Sequence, residues 1–579
     1  MTTYYSNEKN VQILIALLKA HGIRKIIASP GATNVTFVAS VQHDSFFEVY
    51  SSVDERSAAY IACGLSRESG EPVVLSCTGA TASQNYFPGL IEAYYSKLPI
   101  LAITSTQPLS RVGHLIAQVT DRSVFPSDAV KSTFPLPVVK DKDEFWDCEI
   151  KVNKAILELN RYGGGPVHIN LPTTYSSSYD VKELPKVRII KRVAPFDVFP
   201  ELPKGKIAVF IGAHNIITKE QTDAIDSFCA TNNAVVFCDH SSNYKGKNRV
   251  LYALAAGQQM GDVSETMPDL LIHIGEVTGD YYSKRMTGKQ VWRVSEDGEI
   301  RDTFKKLKYV FEMPEKIFFE HYSSKTNASE SSTYLQACKK HVNELYNKIP
   351  ELPFSNIWLA QQMAALIPEN STIHFGILNS LRSWNFFELP HSVNSSSNVG
   401  GFGIDGNVSA LVGASFSNKN KLYFGVIGDL AFFYDMNVMG NRHLQNNLRI
   451  LLVNNGKGTE FRQFNHKAAQ HGDKADEFIA AAGHFGNKSK NLVKQYVQEL
   501  GFEYLSASNK EEFELVYKQF LNPEITDKPM LFEIFTNSED ESKALEKILN
   551  IEVSVKGKAT KFAKQLLGAK GINTIKKLT

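Results

Sequence analysis

The residues best suited to chemistry are Gly428-Asp429-Leu430 and, one crossover later, Asn454-Asn455-Gly456-Lys457-Gly458. An acid (Asp429), a carboxamide oxygen (Asn455) and a loop carbonyl (Lys457) suit a hard cation such as Mg²⁺, which readily shares its ligands with phosphates. The glycines let the backbone approach a diphosphate closely. Periodicity supplies the elements that must hold these groups. An apolar strand over 422–427 ends at Gly428-Asp429, a helical pattern covers 431–445, and a second apolar strand over 448–453 ends at Asn454-Asn455. In a parallel sheet both strand ends share the edge where ligands bind. Strand-end Asp and Asn also cap helices and turns, so spacing alone leaves both readings open.

Gly428-Asp429-Leu430 with the Asn pair resembles the signature of thiamine diphosphate (ThDP) enzymes, with Leu430 replacing a third glycine. With Tyr434-Asp435-Met436-Asn437, the string is similar to the menaquinone-pathway branch, which decarboxylates 2-oxoglutarate and adds the product to isochorismate. The resemblance implies ThDP and Mg²⁺ as cofactors. ThDP also needs a carboxylic acid at its aminopyrimidine ring. Glu55, in Asp54-Glu55-Arg56-Ser57-Ala58-Ala59, resembles the family's catalytic glutamate. That role implies a largely buried acid with a raised pKa. Alone, Glu55 reads as a first-turn glutamate favoured by the helix dipole. Cys77-Thr78-Gly79-Ala80-Thr81-Ala82 resembles a family turn, which makes Thr81 a cofactor-binding candidate. Gly403-Ile404-Asp405-Gly406 resembles the segment whose bulky residue, Ile404, sits beneath the bent cofactor. In the family the site lies between two subunits, implying a homodimer or a dimer of dimers.

The family decarboxylates a 2-oxoacid and passes the acyl-anion equivalent to a proton or to an acceptor. The menaquinone branch has arginines at the positions of Thr33, Gln107, Trp384 and Val399. Neutral side chains replace their fork-like carboxylate pairing poorly. The expected reaction is therefore carboligation of a small 2-oxoacid donor, such as pyruvate, to an acceptor other than isochorismate. The alternatives are a plain decarboxylase releasing an aldehyde and a non-catalytic paralogue. Arg382 stands two positions from Trp384 and offers compensation for one lost arginine. Gln118 matches a family glutamine facing the reacting carbon, and His114 is expected to share its helical face. A lone histidine is also a common structural residue. Glu460 reads as an acid–base group, a substrate contact or a surface charge. The polar stretch over 463–490, with His466, His471 and His484, reads as a lid, and its histidine spacing matches no metal motif. FAD is not expected.

The chain's 579 residues allow three or four domains. Alternating strands and helices imply an α/β fold of three doubly wound parallel-sheet domains. These are a pyrimidine-binding domain (1–185), a central domain (190–345) and a diphosphate-binding domain (350–550), followed by a basic tail (551–579). A polar boundary is expected near 323–333. The tail reads as a solvated or lid-forming helix, or as a surface that meets a membrane or partner. A net charge of +2 indicates no nucleic-acid partner. No apolar run reaches the ~18 residues of a transmembrane segment. The polar first ten residues lack a signal-peptide core. Six scattered cysteines (Cys63, Cys77, Cys148, Cys229, Cys238, Cys338) read as reduced packing residues of a cytoplasmic protein.

Overall fold

A computed structural model describes residues 4–323, 332–484 and 488–552. The basic tail from 553 onward, and 324–331 of the expected polar boundary, lie outside the described residues. The described chain falls into two compact units, Met1–Ala194 with Gly298–Val310 and Pro195–Asp297 with Phe311–Thr579. Among the described residues no helix is long and apolar enough to cross a membrane.

The first sheet contains β1 (Lys25–Ala28), β2 (Glu48–Ser51), β3 (Val73–Thr78), β4 (Ile100–Thr106), β5 (Thr133–Pro135) and β6 (Val167–Pro172). Its order is β2-β1-β3-β4-β6-β5, and every pair is parallel. Strands β3, β4 and β6 are buried almost throughout, so they read as unbroken apolar runs. Their side chains alternate between two cores. Val74, Leu101 and Ile103 face the helices Lys9–Ala20 and Lys142–Glu158. Val73, Leu75 and Ala102 face the helices Glu55–Ser69 and Phe87–Tyr95.

The helix Glu55–Ser69 has definite ends. Asp54 caps it, accepting from the Arg56 and Ser57 amides, and Gly70 stops it at φ 69°. Ala58, Ala59 and Ala62 form its buried face. There Gly89 comes so close that a Cβ on it would lie 2.4 Å from the Ala59 Cβ. This small-residue contact sets the position of Glu55. After β3 the chain forms two helices, Thr81–Asn85 and Phe87–Tyr95. Pro88 opens the second helix and cannot donate a hydrogen bond to the first.

After β7 (Lys191–Val193) come β8 (Ile207–Ile211), β9 (Val235–Cys238), β10 (Arg249–Leu251), β11 (Leu270–Ile274), β12 (Gln290–Ser295) and β13 (Leu307–Glu312). The run β10-β9-β8-β11-β12 is parallel. The third sheet has β14 (Thr372–Phe375), β15 (Asn394–Ser397), β16 (Tyr423–Gly428), β17 (Leu448–Asn454), β18 (Glu503–Ala507) and β19 (Met530–Phe535). Its order is β15-β14-β16-β17-β19-β18, again with every pair parallel. From β14 the chain adds β15 on one side and β16 and β17 on the other. The switch point, where doubly wound sheets bind ligands, therefore lies between β14 and β16.

The crossover between β16 and β17 is less helical than expected. The α-helix covers Asp429–Asp435 and gives way to a 3₁₀ turn at Met436–Gly440. Asp435 is drawn aside, its carboxylate accepting from the Ser409 amide at 2.6 Å and the Ser409 hydroxyl at 2.5 Å.

Candidate active site

Loops after β14, β16 and β17 surround a cavity of about 180 Å³. Asp429 opens the helix after β16 and is only 4% exposed. Burial pushes its carboxyl up to about 6, against the opposing effect of backbone amides. The Leu430 amide donates to Oδ1 at 2.8 Å, and the Gly456 amide donates to Oδ2 at 2.6 Å. This second bond ties the two predicted strand ends together. It follows from the register, in which Gly428 pairs with Val453. Asn455 follows β17, and its Nδ2 donates to Thr459 Oγ1 at 3.1 Å. Its Oδ1 is buried without a hydrogen-bond partner. A buried acid beside an orphaned amide oxygen offers two of the oxygen ligands that a hard cation takes.

Leu430, Ile404 and Lys457 line the same cavity. The Lys457 ammonium turns to Asp476 at 2.7 Å. Gly403 leads into Ile404, whose carbonyl accepts from Asn407 Nδ2 at 2.6 Å. Gly406, at φ 70°, then opens the helix Asn407–Ser415. Leu378 on the opposite wall has φ 70° and ψ −119°, a conformation that strains a non-glycine residue.

Glu460 also lines the cavity. It is no free surface charge, since Oε1 accepts from Arg382 Nη1 at 2.5 Å. The Arg382 guanidinium lies over the Tyr281 ring, 4.3 Å from its centroid. Asn379, turned to satisfy both its amide atoms, donates to Glu460 Oε2 at 2.7 Å and accepts from the Glu460 amide at 3.0 Å. Sequence reasoning missed Asn379, Tyr281 and Glu541. Asn379 follows a short strand containing His374, which hides the strand-end signal. Glu541 sits in a run of charged helix residues, yet it is buried, with its carboxyl pushed up to about 7. It accepts from the amide of Asn356, another cavity residue.

The first unit holds the remaining candidates. Glu55 is half-buried, short of the burial expected, because it starts its helix at the open edge of the sheet. Asn85 Nδ2 donates to Glu55 Oε2 at 3.3 Å, linking it to the helix that Thr81 opens. Thr120 and Arg122 tie the following loop to this turn through the Gly79 carbonyl and the Ser83 hydroxyl. Gln118 therefore stands near the turn, but not on a helix. Gly113 (φ 82°), Leu115 (φ 56°) and Gln118 (φ 61°) interrupt any helical path, so His114 and Gln118 share no helical face. Both are exposed.

At the four arginine-replacing positions the structure has packed neutral groups. Trp384 is fully buried, with Nε1 donating to Asn356 Oδ1 at 3.2 Å. Thr33 donates to the Ser105 carbonyl at 2.5 Å, and Val399 is 2% exposed. Gln107 bonds with Arg111 and Tyr175.

Residues 9–125 match the family described as thiamine pyrophosphate enzyme, N-terminal TPP binding domain. Over 569 residues the chain is 31% identical to the 2-succinyl-5-enolpyruvyl-6-hydroxy-3-cyclohexene-1-carboxylate synthase of Bacteroides fragilis, covering 93% of this chain and 98% of that one. The chain belongs to this thiamine diphosphate enzyme family. The synthase of Bacteroides thetaiotaomicron is 30% identical, over 93% of this chain and 98% of its own. That of Christiangramia forsetii is 28% identical, over 92% and 96%. Asp429 and Asn455 lie together in the cavity of the second unit, and Glu55 opens a helix in the first.

Proposed function

We propose that this protein is a ThDP- and Mg²⁺-dependent carboligase. It decarboxylates a 2-oxoacid and transfers the acyl-anion equivalent to an acceptor other than isochorismate. The observation that carries the reading is the pairing in one cavity of buried Asp429 with the orphaned Asn455 Oδ1. Bound ThDP supplies the electron sink for losing CO₂. Asp429, Asn455 and the Lys457 carbonyl would hold the metal. Gly403, Gly428, Leu430 and Thr81 would give the cofactor close backbone contacts, and Ile404 would support its ring. Glu55 would hold a proton at the pyrimidine. The three sheets are read as pyrimidine-binding, central and diphosphate-binding domains.

A homodimer, or a dimer of dimers, fits this arrangement because a second copy would complete the burial of Glu55. Exposed apolar residues on the two helices beside Glu55 support it, among them Tyr60 (49% exposed) and Tyr95 (70%). Buried Trp384 and Val399 argue against a carboxylate-binding pocket like that of the menaquinone branch. The same observation favours the second reading, a plain decarboxylase.

A 2-oxoacid panel with ThDP and Mg²⁺, with and without acceptors, tests the proposal. CO₂ release with a ligated product supports carboligation, whereas free aldehyde as the sole product supports the second reading. Glu55→Gln should keep ThDP binding and abolish turnover. Undiminished decarboxylation by that variant would remove Glu55 from the mechanism.

A further inference from the structure

We infer that the cavity at the carboxyl edge of the second sheet is a binding site for an uncharged, hydroxyl-rich ligand of the sugar class. It stands on residues that the carboligase reading does not use. The cavity measures about 680 Å³, an ordinary volume for a small-molecule site. Its walls lie within the second unit, on the loops after β8, β9, β11 and β12 and at the end of β15. From β8 the chain adds β9 and β10 on one side and β11 and β12 on the other, which puts the switch point of this sheet between β8 and β11. Two glycines bring the chains together there. A Cβ on Gly212 would overlap the Glu276 carbonyl oxygen, and Gly275 takes a φ of 72°. The Glu276 amide donates to the Ala213 carbonyl at 2.7 Å, so the two chains stay joined past their strand ends. His214 and Glu276 then stand at the cavity, one on each chain.

Charge and hydrogen bonding narrow the class of ligand. Three carboxylates line the cavity, Glu276, Glu296 and Glu315, together with three basic groups, His214, Arg293 and Lys316. Glu315 lies 3.3 Å from His214 Nε2 and pushes the imidazole pKa up. Arg293 Nη2 reaches Glu276 Oε1 at 3.2 Å. The site is thus close to neutral. Nor does it offer a phosphate cradle. Arg293 is 1% exposed, and its Nη1 is committed to the Gly275 carbonyl. A helix start with free amides favours an anion. At the start of the helix Lys219–Asn232, however, Thr218 and Gln221 already close the end with reciprocal hydrogen bonds, and Glu220 adds a negative charge. What remains is hydroxyl chemistry. The Glu276 carboxylate, 65% exposed beside the cavity, can accept from adjacent hydroxyls. Ser295 Oγ and Ser397 Oγ are buried with no hydrogen-bond partner among the described residues. A ligand hydroxyl both donates and accepts, so it pairs with a carboxylate or a serine alike. The vicinal diols of a sugar supply such groups in neighbouring pairs.

Calorimetric titration of the full chain with methyl β-D-ribofuranoside and methyl α-D-glucopyranoside tests the proposal, with ADP as competitor. At least one glycoside should bind saturably, with a Kd of about 1 mM or below. The tighter of the two assigns the ring size. Its 2-deoxy analogue should bind about tenfold more weakly, because a hydrogen bond to a charged acceptor is lost. Glu276→Gln should weaken the full glycoside about tenfold for the same reason. Ser397→Ala should weaken it too, while the melting temperature of the ligand-free variant holds or rises, because an unpartnered buried hydroxyl has been removed. Absence of saturable binding by either glycoside overturns the proposal. So does an affinity left unchanged by Glu276→Gln and Ser397→Ala. ADP that displaces the glycoside and binds more tightly also overturns it, by making the site one for phosphates. All these titrations are run without ThDP, so failure of the cofactor reading leaves their outcome intact.

Discussion

Replacing Asp429 with Asn should leave the cofactor-free protein as stable as wild type, or more so, at neutral pH while abolishing its metal-dependent cofactor binding. Burial raises the Asp429 pKa from the ordinary aspartate range to about 6. A carboxyl whose folded pKa is raised holds its proton better when folded than when unfolded. Stability is therefore greatest below the unfolded value, near pH 4, and is lost as pH rises toward about 6. Each pH unit by which the carboxyl is raised is worth ~1.4 kcal/mol, so ionising Asp429 costs the cofactor-free protein about 3 kcal/mol. Asn carries no charge and escapes this cost. It faces the Gly456 amide with an NH₂ group or loses one of its two backbone bonds, a penalty of about 1–3 kcal/mol. Asp429→Asn should therefore be slightly less stable than wild type at pH 4 and equal or more stable at pH 7. The swing between the two is about 3 kcal/mol. A chain of this length does not unfold in two states, so the useful quantity is the difference between the two proteins at each pH. Urea unfolding at pH 4, 5, 6 and 7 measures it. Added Mg²⁺ and ThDP should then stabilise wild type and leave the variant unchanged. Parallel wild-type and variant stabilities across the window would show that Asp429 is not the strained buried acid inferred here. Equal stabilisation of both by Mg²⁺ and ThDP would exclude it as a ligand.

Gly89→Ala should destabilise the first unit by about 1–3 kcal/mol, because the new methyl overpacks the Ala59 contact beside Glu55. Thermal melting measures this, and an unchanged midpoint would mean that the two helices separate freely. Glu541→Gln should raise stability above pH 7 and lose the advantage toward pH 5. The Glu541 carboxyl is pushed up to about 7 by burial, so its proton is held in the folded state and stability falls as pH rises toward that value. Denaturant melts at pH 5 and pH 8 compare the two, and a constant difference would refute the assignment.

Much of the site could be read in the sequence because it depends on short-range features. The β16 and β17 apolar runs, and the Asp and Asn that end them, are consecutive residues, and parallel pairing then forces their ends to one edge. Asp54 and Gly70 mark both ends of the Glu55 helix by residue type. The same local logic failed where the backbone departs from regular geometry. Nothing in the string from His114 to Gln118 announces positive φ at Leu115 and Gln118, so a helical face was expected where a loop exists. Strand β15, Asn-Ser-Ser-Ser, carries no apolar alternation. It forms only because β14 offers it a free edge.

By itself, the sequence determined the α/β character and the strand ends that carry Asp429 and Asn455, because both follow from periodicity, whereas Glu55 stood out as a candidate acid only through its resemblance to the family. Tertiary structure alone decided which charges are neutralised and which polar atoms are stranded. Arg382 meets Glu460 across 78 positions, and Glu541 reaches Asn356 across 185. Burial raises the Asp429 pKa and leaves Asn455 Oδ1 unpartnered only once three loops have closed around them. Desolvation and long-range pairing depend on what surrounds a group in space, and residues so far apart leave no periodic trace along the chain.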